Sequence, residues 1–122
     1  LHISDTHGYH GLLPDIPSNI DMIIHSGDFS NYQDPYKNEQ EVRNFGTWFN
    51  SLNVKYKICI AGNHDNSIEK GLIDKQYFKD LGIIYLFNNS VEIEGIKIWG
   101  SPITPSFGIG WAFNKLITEK MY

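Results

Sequence analysis

Three short polar motifs in this sequence carry side chains that could perform chemistry. They are Asp5-Thr6-His7-Gly8, Gly27-Asp28 and Gly62-Asn63-His64-Asp65. Each follows a short apolar run that predicts a strand, and residues just past the C-terminal ends of strands form the usual ligand site of an α/β sheet. Carboxylates, amide oxygens and imidazoles bind divalent metals, and an imidazole also transfers protons near neutral pH. The motifs therefore predict a metal site at one edge of a sheet.

Four apolar runs predict the strands that would carry these motifs. They cover residues 1–4, 20–25, 56–61 and 83–87. Apolar residues at helical spacing predict a helix over residues 38–52. A helical turn near residues 68–73 and a short helix over 76–81, with Gly82 placed to cap it, are also predicted. Because strands alternate with helices, this half of the sequence favours a parallel sheet.

The second half of the sequence predicts an antiparallel hairpin. Apolar and polar residues alternate on both sides of Glu94-Gly95, a turn sequence that ends in glycine. Residues 8–19, 29–38 and 100–110 are predicted loops because they are rich in Gly, Pro or polar residues. Residues 111–122 are predicted to form a further helix. We expect one α/β domain over residues 1–122.

The composition indicates an ordinary soluble globular protein. The chain has 122 residues and a net charge of −4, so it lacks the basic surface that sequence-independent nucleic-acid binding requires. The single cysteine, Cys59, cannot form an internal disulfide and is expected in the core. No apolar run approaches the length of a membrane span. We therefore expect a cytoplasmic protein that does not associate with membranes and for which nucleic acid is not the favoured partner.

The order of the three motifs resembles that of the calcineurin-like metallophosphoesterase superfamily. Pro102-Ile103-Thr104-Pro105, followed by Gly110-Trp111-Ala112-Phe113-Asn114, is similar to small metallophosphoesterase-domain proteins in particular. The resemblance implies a four-layer α/β/β/α sandwich of mixed sheets. The family's two later histidine motifs do not occur before Tyr122, and the chain opens on Leu1 rather than Met. We therefore expect both ends to be cut and the C-terminal part of the domain to be missing.

The resemblance also implies a reaction and a set of site residues. Asp5 and His7 would bind one metal ion, Asn63 a second, and Asp28 would bridge the two. A hydroxide held by both ions would attack a phosphate ester, most simply a phosphodiester. His64 would act as the general acid, with Asn63 beside it in the catalytic group. Mn²⁺ is the first choice of metal, and Fe, Zn²⁺ or Ni²⁺ are compatible with the same ligands.

One residue departs from the family pattern. Much of the family has an aspartate three residues after the bridging one, where it orients the catalytic histidine, and here that position is Asn31. A neutral amide raises the pKa of an imidazole less than a carboxylate does, which puts the importance of His64 as an acid in question. Asn31 is still a candidate support residue, and Asp65 has two readings, as a support for the turn or as a direct participant.

Other residues leave alternatives open. His25 is expected to be a satisfied interior histidine, His2 a strand residue, and His10 a loop residue that could contact substrate. Four aromatic residues could line a substrate wall or belong to the core; they are Tyr32, Tyr36, Phe107 and Trp111. The expected partner is a small phosphoester or nucleotide-like substrate. The alternatives are a DNA nuclease of the same superfamily and an inactive binding or structural module with the same fold.

Overall fold

A four-stranded parallel sheet positions the three polar motifs. The structure, a computed structural model, describes residues 1–116. The strands are β1 (His2–Ile3), β2 (Met22–His25), β3 (Tyr56–Cys59) and β4 (Ile84–Tyr85), and they lie in this order across the sheet. All neighbouring pairs are parallel, with Ile3 beside His25 and His25 beside Cys59. The C-terminal ends of the first three strands therefore meet at one edge, as the sequence predicts.

The long helix begins earlier than predicted. Helix α1 (Pro35–Ser51) starts at Pro35 because Asp34 caps it by accepting a hydrogen bond from the Tyr36 N–H at 3.1 Å. Proline suits the first helical position, where the missing N–H costs nothing. The loop predicted over residues 29–38 is correspondingly shorter.

Helix α1 covers one face of the parallel sheet. It buries Val42, Phe45 and Phe49 in the main apolar cluster. The helix α3 (Lys75–Asp80) adds Phe78 to the same cluster, whereas the short α2 (Asn66–Glu69) follows the third polar motif. Cys59 is fully buried there, which confirms its expected place in the core. Within residues 1–116, none of the helices is long and apolar enough to cross a membrane.

The predicted hairpin is confirmed. Strands β5 (Asn89–Ile93) and β6 (Ile96–Gly100) pair antiparallel around Glu94 and Gly95, which have φ values of 49° and 82°. Positive φ at both turn residues is the geometry that matches the twist of paired strands. The hairpin packs Ile93 against Ile58 and Leu86, on a second and smaller apolar cluster. Parallel and antiparallel strands with helices confirm the α/β class.

The helix predicted over residues 111–122 is wrong for its first six residues, and residues 117–122 lie outside the described part. Instead, β8 (Asn114–Lys115) pairs in parallel with β7 (Thr104–Pro105), which lies inside the predicted loop 100–110. The reason is tertiary: the Phe113 N–H bonds to the Glu69 carboxylate at 2.6 Å, and the Ala112 N–H to the Asn63 carbonyl at 3.0 Å. Backbone donors engaged by distant groups are not free to bond within a helix.

Candidate functional site

The first two motifs run side by side past the ends of β1 and β2. The backbone N–H groups of Asp5 and His7 bond to the carbonyls of Gly27 and Asp28, each at 2.9 Å. Asp5, His7 and Asp28 all have positive φ, at 55°, 46° and 58°. A left-handed backbone at a non-glycine residue costs on the order of 1–3 kcal/mol, and such strain is concentrated at functional sites. Three such residues in two neighbouring loops indicate that the backbone of these loops is shaped for function rather than for stability.

The side chains of these loops converge with His64 from the third motif. One ligand atom each of His7, Asp28 and His64 lies within 4.8 Å of the others, the spacing of a group that could hold a metal ion. The Nε2 atom of His7 is 3.8 Å from the Asp5 carboxylate, and the His7 and His64 rings are 4.6 Å apart. Half-buried Asn63 precedes His64 directly. The structure therefore brings Asp5, His7, Asp28 and His64 together, while the place of the Asn63 side chain and the division into ligands and acid stay predictions.

The His7 ring is oriented as a metal ligand would be. Its Nδ1 lies 3.2 Å from the Ser30 carbonyl oxygen. Because a carbonyl only accepts, a proton is assigned to Nδ1, and Nε2 faces Asp5, where it would be the nitrogen available to a metal ion. A hydrogen bond that fixes one ring nitrogen while the other binds metal is the usual arrangement in metalloproteins.

Asp28 is a largely buried carboxylate that lies with His7 and His64 in this group. It is 8% exposed, and burial raises its pKa above the ordinary value, while hydrogen bonding by the His64 N–H, 2.9 Å from Oδ1, acts in the opposite direction. A bound cation would favour the ionised form. Asp28, His7 and His64 together offer a carboxylate and two imidazoles, a donor set that fits a divalent metal.

Asp65 fixes the loops rather than the substrate. It is fully buried and accepts hydrogen bonds from the N–H groups of Asp28 at 2.8 Å, Gly62 at 2.7 Å and Ser30 at 3.1 Å, and from the Ser30 hydroxyl. Burial raises its pKa to about 7, and these hydrogen bonds oppose that shift. Of its two sequence-based readings, the geometry favours structural support.

Gly62 is required by close packing of the second and third motifs. A Cβ atom on Gly62 would lie 2.2 Å from Asp28 Oδ1 and 2.5 Å from the Asp28 nitrogen. Real Cβ atoms do not approach so closely, so any side chain would displace the central carboxylate. Glycine at position 62 therefore keeps a side chain out of the site.

Sequence reasoning missed two residues of α1 that support the site. The fully buried Asn38 places its amide nitrogen 2.8 Å from the carbonyls of both Tyr32 and His64, and its oxygen accepts from the Ser67 hydroxyl at 2.7 Å. Glu41 accepts the N–H groups of Asn31 and Tyr32, each at 2.8 Å. A signal for Asn38 exists: it occupies the next position of the apolar stripe formed by Val42, Phe45 and Phe49.

The predicted support residue Asn31 does not orient His64. Its side chain is exposed and, among residues 1–116, forms no hydrogen bond to His64; it lines a groove beside Asp5 and His7 instead. The position follows from its backbone, which is held by Glu41. The His64 ring contacts the rings of His7 and, at 4.9 Å, Trp111.

The remaining histidines and aromatic residues are placed as follows. His25 is a satisfied interior histidine, as predicted, bonded to Thr6 and the Gly27 N–H. His10 is not a loop residue open to substrate: its ring is buried against Phe45 and Trp48. His2 lies in β1, as expected. For three of the four aromatic residues the core alternative is wrong, because they are exposed: Tyr32, Tyr36 and Phe107.

Comparison with known proteins agrees with this geometry. Residues 1–116 match the calcineurin-like phosphoesterase family. Human metallophosphoesterase domain-containing protein 1 is 34% identical over 116 residues, which covers 77% of this chain and 34% of its own. A UPF0046 protein of Caenorhabditis elegans is 40% identical over 115 residues, 82% of this chain and 39% of its own. The probable rhamnogalacturonate lyase C of Emericella nidulans is 33% identical over 88% of this chain and 11% of its own.

These relatives are longer than this chain, which spans 34% of the human protein and 39% of the nematode protein. The family match, in contrast, extends over all the described residues and includes the three motifs that meet at the edge of the parallel sheet. The chain belongs to the calcineurin-like phosphoesterase family.

Proposed function

We propose that the protein hydrolyses phosphate esters, with phosphodiesters as the preferred class. The observation that carries the proposal is the convergence of His7, Asp28 and His64 within 4.8 Å, beside the Asp5 carboxylate. Family membership supports the same reaction class. The strained backbone at Asp5, His7 and Asp28 supports retention of function, since an inactive module would gain stability by relaxing it.

Two divalent ions are the proposed cofactors. Asp5 and His7 would hold one, Asn63 the other, and Asp28 both; Mn²⁺ is the first choice, with Fe, Zn²⁺ or Ni²⁺ as alternatives. When bound, such ions supply a water of lowered pKa and neutralise charge on the phosphate oxygens. The protein's part is to hold Asp28 by the His64 N–H, which favours the ionised carboxylate, and to orient the His7 ring so that its Nε2 faces Asp5.

His64 is proposed to give a proton to the leaving oxygen. Its backbone N–H is held by Asp28 Oδ1 at 2.9 Å, and its ring lies against those of His7 and Trp111. These contacts limit the rotation of the His64 side chain and would keep its ring beside the phosphate group of a substrate. Phe107 lies 6.0 Å from Trp111, so flat apolar surface extends outward on this side of the site. Such a surface suits a small phosphoester that carries an organic ring.

The proposal is tested with bis(p-nitrophenyl) phosphate and the full-length protein. We expect turnover with added Mn²⁺ that stops when a chelator is added. Asp28→Asn should abolish turnover because it removes the shared negative charge. The matched control, Asp15→Asn, changes an exposed aspartate outside the cluster and should retain full activity. Metal-independent turnover, or none with any of the four metals, would contradict the proposal.

A further inference from the structure

A groove beside the candidate metal centre suggests what the substrate carries besides phosphate. Its volume is about 550 Å³. Polar and apolar residues share the lining: Asp5, His7, Asn31, Tyr9, Leu12 and Leu13. Because Asp5 and His7 belong to both the groove and the centre, the two are continuous. A phosphoester whose phosphorus lies at the centre can therefore extend an organic group into the groove.

The apolar wall of the groove is fixed in place although it faces solvent. Tyr9 is 66% exposed and Leu12 80% exposed. Between them lies His10, which is buried with its ring 5.0 Å from that of Trp48. The residues 10–12 form a 3₁₀ helix, closed by the Leu12 N–H bonding to the Tyr9 carbonyl at 2.9 Å. An anchored turn that presents a tyrosine and a leucine outward is typical of a binding surface rather than of a loose loop.

The charge of the groove restricts the class of ligand. Among the described residues that line it, none is lysine or arginine, and its one acidic residue, Asp5, is a proposed metal ligand. A second phosphate or a carboxylate would lose part of its hydration there without gaining a cationic side chain as a partner. An uncharged group meets no such penalty and buries apolar surface against Tyr9 and Leu12.

We propose, resting on the function proposed above, that this groove holds an uncharged, ring-bearing substituent of the phosphoester. Tyr9 and Leu12 would then set specificity without taking part in the reaction. A ligand that carries a phenyl ring is expected to bind about tenfold more tightly than one that carries a methyl group, because partial burial of the ring removes more apolar surface from water. Substrates with a second anionic group on that substituent are expected to bind less tightly.

The experiment measures binding, so that it does not depend on turnover. Phenylphosphonate and methylphosphonate are titrated calorimetrically into the full-length protein loaded with Mn²⁺. The wild type is expected to bind phenylphosphonate about tenfold more tightly, and Leu12→Ser to reduce this preference to within about threefold with methylphosphonate affinity unchanged. Tyr9→Ala should act in the same direction. Ile96→Ser, which alters a residue on β6 that is 59% exposed and does not line the groove, is the matched control and should keep the preference.

The outcomes separate this inference from the proposed function. Equal affinities in the wild type, equal effects of Leu12→Ser and Ile96→Ser, or no binding of either phosphonate would overturn the groove assignment. The same preparation is assayed for hydrolysis of bis(p-nitrophenyl) phosphate. Lack of hydrolysis with an intact phenyl preference would overturn the proposed reaction and leave the groove assignment standing. Hydrolysis without any phenyl preference would overturn the groove assignment and leave the proposed reaction standing.

Discussion

At the residue scale, His64 occupies a position from which it could serve either as a metal ligand or as a proton donor. One of its ring nitrogens lies within 4.8 Å of ligand atoms of His7 and Asp28, and its ring also contacts Trp111. Distance does not separate the two roles because both require His64 beside the phosphate. The chemistry of the leaving group separates the two roles. A general acid increases the rate more when the departing oxygen is more basic, whereas a metal ligand has no such dependence.

His64→Ala should therefore affect esters unequally. With a p-nitrophenyl ester the loss of rate should be small, because the leaving group departs without a proton. With an alkyl or nucleoside ester the loss should be about 10²–10⁴-fold. The measurement is kcat for both esters, with His2→Ala, an exposed histidine on β1, as the control. Equal losses with both esters would assign His64 to metal binding or structure instead.

His25 makes the stability of the fold dependent on pH. Its Nδ1 accepts the Gly27 N–H at 3.1 Å, so the ring is neutral, and burial lowers its pKa from 6.5 to about 3. Below pH 6.5 the unfolded chain takes up a proton that the folded chain does not. The contribution of His25 to the free energy of unfolding is therefore present at pH 7 and is lost as the pH falls. The loss amounts to about 2 kcal/mol at pH 5.

His25→Phe tests this pH dependence. Phenylalanine suits the neighbouring rings of Phe29 and Phe45 but cannot titrate. The free energy of unfolding in urea, measured at pH 7 and pH 5, should fall less in the variant than in the wild type, by about 2 kcal/mol. The variant should be less stable at pH 7 because it loses two hydrogen bonds. An equal fall in both proteins would show that His25 does not set the acid response.

At the element scale, α1 connects the loops of the site to the core. Its apolar stripe packs on the sheet, and at its N-terminal end Asn38 and Glu41 hold the segment after Asp28. Asn38 also lies 2.8 Å from the carbonyl of His64. One helix thus determines the relative position of the second and third motifs, although it contributes none of the predicted ligands.

Asn38→Ala should weaken both the fold and the site. It removes one hydrogen bond from each of the carbonyls of Tyr32 and His64, to which Asn66 also donates at 3.0 and 3.4 Å, and each lost hydrogen bond costs about 0.5–1.5 kcal/mol. We expect unfolding at lower urea concentration and weaker Mn²⁺ binding by the full-length protein. Asn50→Ala, an exposed change on the same helix, should alter stability by no more than about 0.5 kcal/mol. Similar effects of the two substitutions would contradict the role given to Asn38.

The elements differ in how far the sequence predicts them. The strands before each motif and the hairpin at Glu94-Gly95 are predictable because their signals are local: short apolar runs, alternation and turn chemistry. The conformation of residues 111–116 is not predictable in this way, because Glu69 and Asn63, which are distant in sequence, determine their backbone hydrogen bonds. In the site, the motif residues are predictable from their chemistry. Asn38 leaves only an indirect signal, its place on the apolar stripe of α1, because its partners His64 and Ser67 lie far along the chain.

At the scale of the whole molecule, the side of the sheet opposite α1 is only partly covered. The hairpin packs there through Ile93, yet an open groove of about 360 Å³ remains between hairpin and sheet. Trp99, which lines this groove, is 54% exposed. The family fold is an α/β sandwich. Apolar surface of this kind promotes association when it is left open.

Residues 1–122 made alone should therefore bind Mn²⁺ weakly, show little turnover and self-associate. The predicted ligands supply Asp5, His7 and Asp28 to one ion but only Asp28 and Asn63 to the other, fewer than a tightly held ion needs. Calorimetry should detect no pair of tight sites, and light scattering should show association that Trp99→Lys reduces. Tyr36→Lys, at an exposed aromatic residue outside this groove, is the control. Two tight Mn²⁺ sites in this chain would mean that it contains a complete ligand set, and the assignment of Asp5, His7, Asp28 and Asn63 would have to be redrawn.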